Sequence, residues 1–208
     1  MWMLHIAIAG ANPCDVPVDI DAWRWQLARA DEQLEQKTNL PGALATLDSV
    51  KDRTRCLATR IDPADVTRLA RLQAVGAYHR QEMSRVEEWA KLAAASAPAT
   101  PLPAWLTDKH PVYKHLERPP PDWSRLDDVT IAAPRKGAVF LNGVWLDQAM
   151  FPATTTNLVQ VLDKKGRSVD AWWQHGAAVP GEVLKRAGAA PVRPKFYPVG
   201  PAVSDVLR

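Results

Sequence analysis

The sequence predicts an α+β protein: an N-terminal antiparallel helical bundle with a long third helix, a proline-rich strap, and a small C-terminal antiparallel β unit. Apolar residues recur at alternating three- and four-residue intervals through most of the first 97 residues, as on one face of a helix. Eight prolines fall within residues 98–134 and exclude a long helix there. An Asn-Gly pair between two apolar runs predicts a β-hairpin. These patterns place the boundaries at residues 1–97, 98–134 and 135–208.

The composition is that of a globular protein. Of the 208 residues, 47% are hydrophobic and 24% are charged, which excludes a wholly disordered chain, a collagen and a polytopic membrane protein. The net charge is only +3, and its mild basic excess in the second half is small for a dedicated nucleic-acid-binding protein. No apolar run approaches the roughly 18 residues that indicate a membrane span, so no membrane contact is expected.

Cysteine usage and the start of the chain predict a cytoplasmic protein. Cys14 and Cys56 lack the spacing of a CxxC motif or a zinc ribbon, and both are predicted to be reduced thiols. The apolar start has no basic region of the kind that a secretory signal peptide needs, because the first Lys or Arg is Arg24.

The first 97 residues predict a short strand followed by three helices. Side-chain size alternates over residues 2–9, which predicts the strand. The first helix begins near Asp19 or Asp21, because aspartate caps helix N-termini. The second helix follows a turn at residues 39–42. The buried face of the first helix is the apolar seam Ile20, Trp23, Leu27, Ala30 and Leu34.

The third predicted helix begins at Asp62-Pro63 and continues to about Ala97. Asp62 suits the cap and Pro63 suits the first helical position. A helix of this length measures about 50 Å, which is more than its two shorter partners cover, and it therefore predicts a homodimer or an obligate partner. Gly76 lies on the apolar seam of this helix and predicts the close approach of a neighbouring helix.

The strap and the β unit follow from turn residues and apolar runs. Apolar side chains within residues 98–134 predict a strap that lies on the fold, with one helical turn near His110–Glu117. The β unit contains two predicted hairpins and a short helix. They are Ala138–Leu141 with Val144–Leu146 around Asn142-Gly143, Leu158–Leu162 with Ser168–Trp173 around residues 163–167, and the helix Val179–Arg186.

The sequence gives little evidence of catalysis. The chain has no Gly-x-Ser-x-Gly nucleophile elbow and no glycine-rich phosphate loop, and no cofactor is expected. His110 and His115, with Asp122 or with His175 as a further ligand, provide an alternative interpretation as a metal-dependent hydrolase or nuclease. Their i,i+5 spacing across Pro111 does not match the i,i+4 pair of a zinc helix, so two surface histidines are the preferred interpretation.

The predicted binding surface lies on the C-terminal β unit. Trp172 and Trp173 are adjacent, so in a strand one ring faces the core and the other faces outward. The outward ring lies close in sequence to the basic turn of Lys164, Lys165 and Arg167. Trp and Arg dominate the energetics of protein interfaces, and aromatic rings beside basic side chains also bind single-stranded nucleic acid.

The leading expectation is a non-enzymatic binding or assembly module that acts through protein–protein contacts, either with a partner or by self-association. A nucleic-acid-binding accessory protein is the second expectation, ranked lower because the basic excess is weak for phosphate binding. The candidate binding residues are Trp145, Lys164, Lys165, Arg167, Trp172, Trp173 and His175.

Overall fold

The computed structural model describes residues 14, 16–119, 127–128, 137–146, 150–151 and 155–175. Within these residues the chain forms five helices and six strands, which confirms the α+β class. The helices are α1 (Ile20–Gln36), α2 (Leu40–Thr54), α3 (Pro63–His79), α4 (Met83–Ser96) and α5 (Tyr113–Leu116). The strands are β1 (Asp127–Asp128), β2 (Ala138–Leu141), β3 (Val144–Leu146), β4 (Met150–Phe151), β5 (Thr156–Leu162) and β6 (Ser168–His175).

Helices α1 and α2 follow the predicted pattern. Asp19 caps α1, where its Oδ1 accepts two backbone N–H groups of the first turn. Asn39 caps α2, where its Oδ1 accepts the backbone N–H of Gly42 at 3.1 Å. Trp23 of the predicted seam is fully buried and donates its Nε1–H to Val50 O and Thr54 Oγ1. The apolar spacing therefore identified the face on which α1 packs against α2.

Cys14 and Cys56 form a disulfide, so the prediction of two reduced thiols is wrong. The two residues are 42 positions apart, and sequence spacing alone does not show whether two cysteines meet in space. The bridge joins the segment before α1 to the end of α2, where Val18 N–H donates to Cys56 O and Ala58 N–H donates to Val18 O. In the chain-entropy account, closing a loop of this length stabilises the fold by about 4 kcal/mol.

Residues 63–97 form two helices, and the prediction of one long helix is wrong. The chain reverses at Gln81, which has a left-handed φ of 62°. Gln81 N–H donates to Tyr78 O and Glu82 N–H donates to Ala77 O, the two bonds of a Schellman C-cap. The reversal packs α4 against α3. It removes the overhang from which a dimer was predicted, and the oligomeric state stays a prediction.

Gly76 lies at a close approach between α3 and α2, as predicted. A Cβ placed on Gly76 would lie 3.3 Å from Leu44 Cδ2 and 3.3 Å from Leu47 Cδ1. These distances are shorter than ordinary van der Waals contact. The two leucine side chains therefore occupy the space that a side chain at position 76 would need.

Residues 98–119 lie on the helical core, and the predicted helical turn is α5. Leu106, Val112 and Leu116 are buried in the cluster that the helices form. Arg71 Nη1 donates to two backbone carbonyl groups of the strap, and Trp105 Nε1 donates to a carboxylate of α1. This part of the strap is therefore held by both apolar and polar contacts.

Four strands form an antiparallel sheet in the order β3-β2-β5-β6. Both predicted hairpins are confirmed. Asn142 and Gly143 turn at φ 52° and 81° between β2 and β3, and residues 163–167 connect β5 to β6. Every residue of β2 and β5 is buried, so both faces of these two strands are covered. A separate pair joins β1 to β4.

The sheet is anchored to the helical core by a buried turn and a buried glutamine. Gly143 lies against the start of α3, where a Cβ would come within 2.5 Å of Ile61 O. Gln160 Oε1 accepts Ile61 N–H, and its Nε2 donates to Thr59 O. Leu158 belongs to the same buried cluster as the helical residues. The helical and β regions therefore pack directly on one another.

Two predicted elements, the strand at residues 2–9 and the helix at Val179–Arg186, lie outside the described residues. Most of residues 120–134 of the predicted strap also lie outside them. Within the described ranges, no helix combines the length and the apolar character needed to cross a membrane.

Candidate binding groove along strand β6

Strand β6 lies at the edge of the sheet among the described strands, and two hollows lie along it. The first hollow has a volume of about 430 Å³ and is lined by Trp173 and His175 together with residues of α2 and α4. The second has a volume of about 560 Å³ and lies between residues 167–171, residues 55–58 and the Cys14–Cys56 disulfide. The two hollows and the edge of β6 beside them are here called the β6 groove.

The register shows which main-chain groups of β6 point away from the sheet. Asn142 N–H donates to Leu158 O, so the main chain of Leu158 bonds toward β2 and that of its neighbour Val159 bonds toward β6. Val159 lies opposite Trp172, whose main chain therefore bonds toward β5. Because this direction alternates along a strand, the main-chain groups of Ala171 point out of the sheet, as do those of the alternate residues Trp173 and His175.

The outward edge of β6 is occupied at its start, and no described strand pairs with it further along. Ser168 N–H donates to Ala58 O. Among the described residues, no main-chain group bonds to the outward N–H and C=O groups of Ala171, Trp173 and His175. These residues line the two hollows, so the β6 groove presents main-chain donors and acceptors that no described segment pairs.

An aromatic pair lies in the first hollow. Trp173 packs edge-to-face on Trp89, with ring centroids 5.5 Å apart, and donates its Nε1–H to Lys51 O. Trp89 is buried and Trp173 is half-buried. His175 is exposed at the end of β6, with its Nδ1 3.0 Å from Thr156 Oγ1. The hollow therefore combines this aromatic pair with the His175 imidazole and with charged side chains of both signs, Lys51, Asp52, Arg85 and Glu88.

The second hollow has a basic rim. Arg55 is exposed and makes no ion pair within the described part of the chain. Lys164 and Lys165 are exposed on the turn that leads into β6. Arg167 is held by Asp163, whose Oδ2 accepts from its Nε at 2.9 Å and its Nη2 at 2.7 Å. Three cationic side chains are therefore available at this end of the β6 groove, while Arg167 is already engaged.

Asp163 organises the turn between β5 and β6. Its Oδ1 accepts the backbone N–H groups of Lys165 and Arg167 at 2.8 and 3.0 Å. Hydrogen bonds from the backbone and then from the side chain of Arg167 hold the pKa of Asp163 below its ordinary value. Asp163 therefore acts as a structural residue that shapes the basic rim.

The structure brings together some of the predicted binding residues and separates others. Arg167, Trp173 and His175 line the β6 groove, and the two predicted lysines lie on the adjoining turn. The main chain of Trp172 bonds toward β5, and its ring donates to Gln174 Oε1 at 2.9 Å. Trp145 packs against a small cluster of Ala138, Phe140 and Leu162 at the other end of the sheet order, away from the β6 groove.

The two histidines of the hydrolase alternative have separate partners. His110 packs against the ring of His79, with centroids 6.5 Å apart, and burial lowers the pKa of both residues. His115 Nδ1 lies 2.6 Å from Glu87 Oε1. Asp122 lies outside the described residues. Within the described part of the chain, no group of three or more His, Cys, Asp and Glu side chains is placed to hold a metal ion.

Sequence reasoning missed the residues that α2, α4 and the segment after α2 contribute to the β6 groove, among them Lys51, Arg55 and Trp89. These three lie more than 75 positions before β6 in the sequence, and only tertiary packing brings them to it. Trp89 was placed in a helix by the sequence, and a large aromatic side chain of this kind is usually packed against another element. The sequence did not identify Trp173 as its partner.

Comparisons with known proteins return no relative. No protein family, no curated protein and no solved structure matches the chain. The candidate function therefore depends on the geometry of the β6 groove.

Proposed function

We propose that this chain is a non-enzymatic binding module that acts through protein–protein contacts at the β6 groove. The observation that carries the proposal is the open edge of β6 beside the Trp173–Trp89 pair. Exposed strand edges recruit other chains unless they are covered or blocked, and tryptophan is enriched among the residues that dominate binding energy. A strand edge that no described segment covers, beside two hollows, is therefore suited to hold a partner.

The contacts around the basic turn favour a protein partner over nucleic acid. Arg167 is committed to Asp163, and the Trp173 ring packs on Trp89 and bonds to Lys51. The Trp173 ring is therefore already engaged within the fold. The turn carries three exposed cations, Lys164, Lys165 and Arg167, and the Asp163 carboxylate offsets one of them, so the turn contributes little to phosphate binding.

A photo-crosslinking experiment tests the proposal. His175 is replaced by benzoylphenylalanine in the full chain, and the matched control places the same group at Glu35, which is exposed on α1. Illumination in an extract of the native host is expected to link a protease-sensitive species through position 175 and not through position 35. Equal crosslinking at both positions, or none at either, would contradict a protein-binding role for the β6 groove.

Nucleic acid binding is tested by a titration with single-stranded oligonucleotide at two salt concentrations. Replacing both Lys164 and Lys165 by alanine would lower the log–log salt slope by about 0.7 for each phosphate contact on a single strand. We expect no saturable binding and no slope change. A slope reduced by about 1.4 for the two contacts would replace the protein proposal with the nucleic-acid alternative.

The disulfide also bears on the compartment. Disulfides persist in oxidising compartments and are rare in the cytosol, so the Cys14–Cys56 bridge supports a location other than the predicted cytoplasm. Protein purified from its host without reductant is expected to take up no iodoacetamide before reduction and two labels after it, as the chain has two cysteines. Two labels before reduction would support the cytoplasmic prediction instead.

A further inference from the structure

We propose that the β6 groove binds an extended acidic peptide of a partner protein as an added β-strand. The inference rests on the proposed protein-binding function and names the kind of partner. In strand addition, main-chain hydrogen bonds provide the affinity, and pockets for alternate side chains provide the specificity. The β6 groove contains both features.

The main-chain feature is the alternation along β6. Ala171, Trp173 and His175 direct their N–H and C=O groups out of the sheet, whereas Trp172 and Gln174 bond to β5. Three successive outward residues span about 13 Å of strand. A strand laid beside them would extend the sheet to β3-β2-β5-β6-peptide without any change in the existing ladder.

The two hollows provide places for the side chains of an added strand. Residues of α2 and α4 border the first hollow, and the segment at residues 55–58 with the disulfide borders the second. Residues of β6 line both hollows, so alternate side chains of a peptide laid beside β6 are expected to enter them.

Charge favours an acidic peptide. Arg55, Lys164 and Lys165 lie at one end of the β6 groove without an acidic partner among the described residues. At the other end, the first hollow is balanced in charge, because Lys51 and Arg85 line it together with Asp52 and Glu88. Acidic residues beside an apolar, alternating segment of the peptide therefore complement the basic end, while an apolar side chain of the peptide contacts the Trp173 ring.

The test uses ¹⁵N-labelled full chain and a defined probe, the peptide acetyl-Asp-Glu-Val-Thr-Val-Thr-Val-Glu-Asp-amide. Two control peptides carry lysine in place of the acidic residues, or proline at alternate central positions. Amide hydrogen exchange reads the edge directly, because the Trp172 and Gln174 amides are paired in the sheet and serve as internal controls. The acidic peptide is expected to slow exchange at Ala171 and Trp173, and the proline peptide is expected not to bind.

Two variants separate strand addition from other binding. Ala171→Pro removes an outward N–H without breaking the ladder to β5, and is expected to raise the Kd about fivefold or more, the loss of one hydrogen bond. Arg55→Glu is expected to raise the Kd of the acidic peptide about threefold and to lower that of the lysine peptide. The matched control is Arg29→Glu, an equal charge change at an exposed position of α1 outside the β6 groove.

The outcomes distinguish this inference from the proposed function. Ala171 and Trp173 amides that are already protected in the free chain would overturn strand addition, because the edge would be covered. A second outcome separates the two proposals. If position 175 crosslinks to a protein but the acidic peptide does not slow exchange at the Ala171 and Trp173 amides, strand addition is wrong and the protein-binding function is still supported. An unchanged Kd in both Ala171→Pro and Arg55→Glu would also overturn it, whether or not Ala171→Pro keeps its full stability.

Discussion

Each of the two hairpin turns of the sheet contains one glycine. The two glycines have nearly the same φ, but one is buried and the other lies in a turn that faces solvent. Gly143 has φ 81° and Gly166 has φ 80°. Gly143 is buried against the start of α3, where Ile61 O lies 2.5 Å and Pro63 N 2.8 Å from the position of a Cβ. Gly166 belongs to the solvent-facing turn that carries Lys164 and Lys165. One turn is therefore an anchor and the other is a rim of the β6 groove.

The difference shows that a turn signal predicts a local conformation and not its role. Both turns were predicted from glycine and polar residues between apolar runs. The side chain of Asn142 bonds to Leu158 N–H and Asn157 Oδ1 within the buried turn, whereas Asp163 bonds within its own turn. Substitutions at the buried turn should therefore affect the whole fold, and substitutions at the exposed turn should affect the β6 groove alone.

The largest effect is expected from Gly143→Ala. A Cβ at this position adds the strain of a left-handed residue to a backbone clash with Ile61, and should lower the free energy of unfolding by about 3 kcal/mol or more. Gly166→Ala is the matched control, with the same φ and an expected loss of about 1 kcal/mol. Urea denaturation of both variants measures the difference. Equal losses would mean that the buried turn is not an anchor.

Asn142→Ala should have the next largest effect. It leaves Leu158 N–H and Asn157 Oδ1 without their buried partner and places alanine at positive φ, for a total of about 3 kcal/mol. Asn142→Gly removes the same bonds but tolerates the conformation, and should cost about 2 kcal/mol. Thermal and urea unfolding compare the two variants. A glycine variant as destabilised as the alanine variant would show that backbone strain plays no part.

Gln81→Gly extends the comparison to the helical region and should be stabilising. Gln81 ends α3 at φ 62°, a conformation that costs a residue with a side chain about 1 kcal/mol. The greater freedom of glycine in the unfolded chain offsets about half of this gain, so a net gain of about 0.5 kcal/mol is expected in urea denaturation. The bonds of the Schellman cap are backbone bonds and should persist. A loss of stability would show that the glutamine side chain contributes to the reversal.

The smallest effect concerns the pH dependence of the exposed turn. Because hydrogen bonds from Arg167 lower the pKa of Asp163 in the folded chain, the stabilisation is full above the unfolded pKa of about 3.9. It is lost as the pH falls through the lower folded pKa. An NMR titration should place the Asp163 carboxyl below the ordinary aspartate range, and Arg167→Ala should move its pKa back upward. A titration that Arg167→Ala leaves unchanged would contradict this origin.

Much of the fold could be predicted because its signals are local. The helix seams, the cap at Asp19 and both hairpin turns depend on residues within a few positions of one another. The reversal at Gln81 could not be predicted, because a Schellman cap at a non-glycine residue leaves no mark in the apolar spacing. Trp173 and His175, two of the candidate binding residues, line the β6 groove, and their role in binding stays a prediction.

The sequence by itself determined the class, the helical faces and the two hairpins, since period, capping and turn conformation are properties of short segments. Tertiary structure decided that the two cysteines meet, where α3 ends, and which of two similar turns is buried. It also decided that Trp89 and Lys51 meet Trp173 beside an open strand edge. These features depend on contacts between distant segments, and apolar packing can join such segments in many ways that a linear pattern does not distinguish.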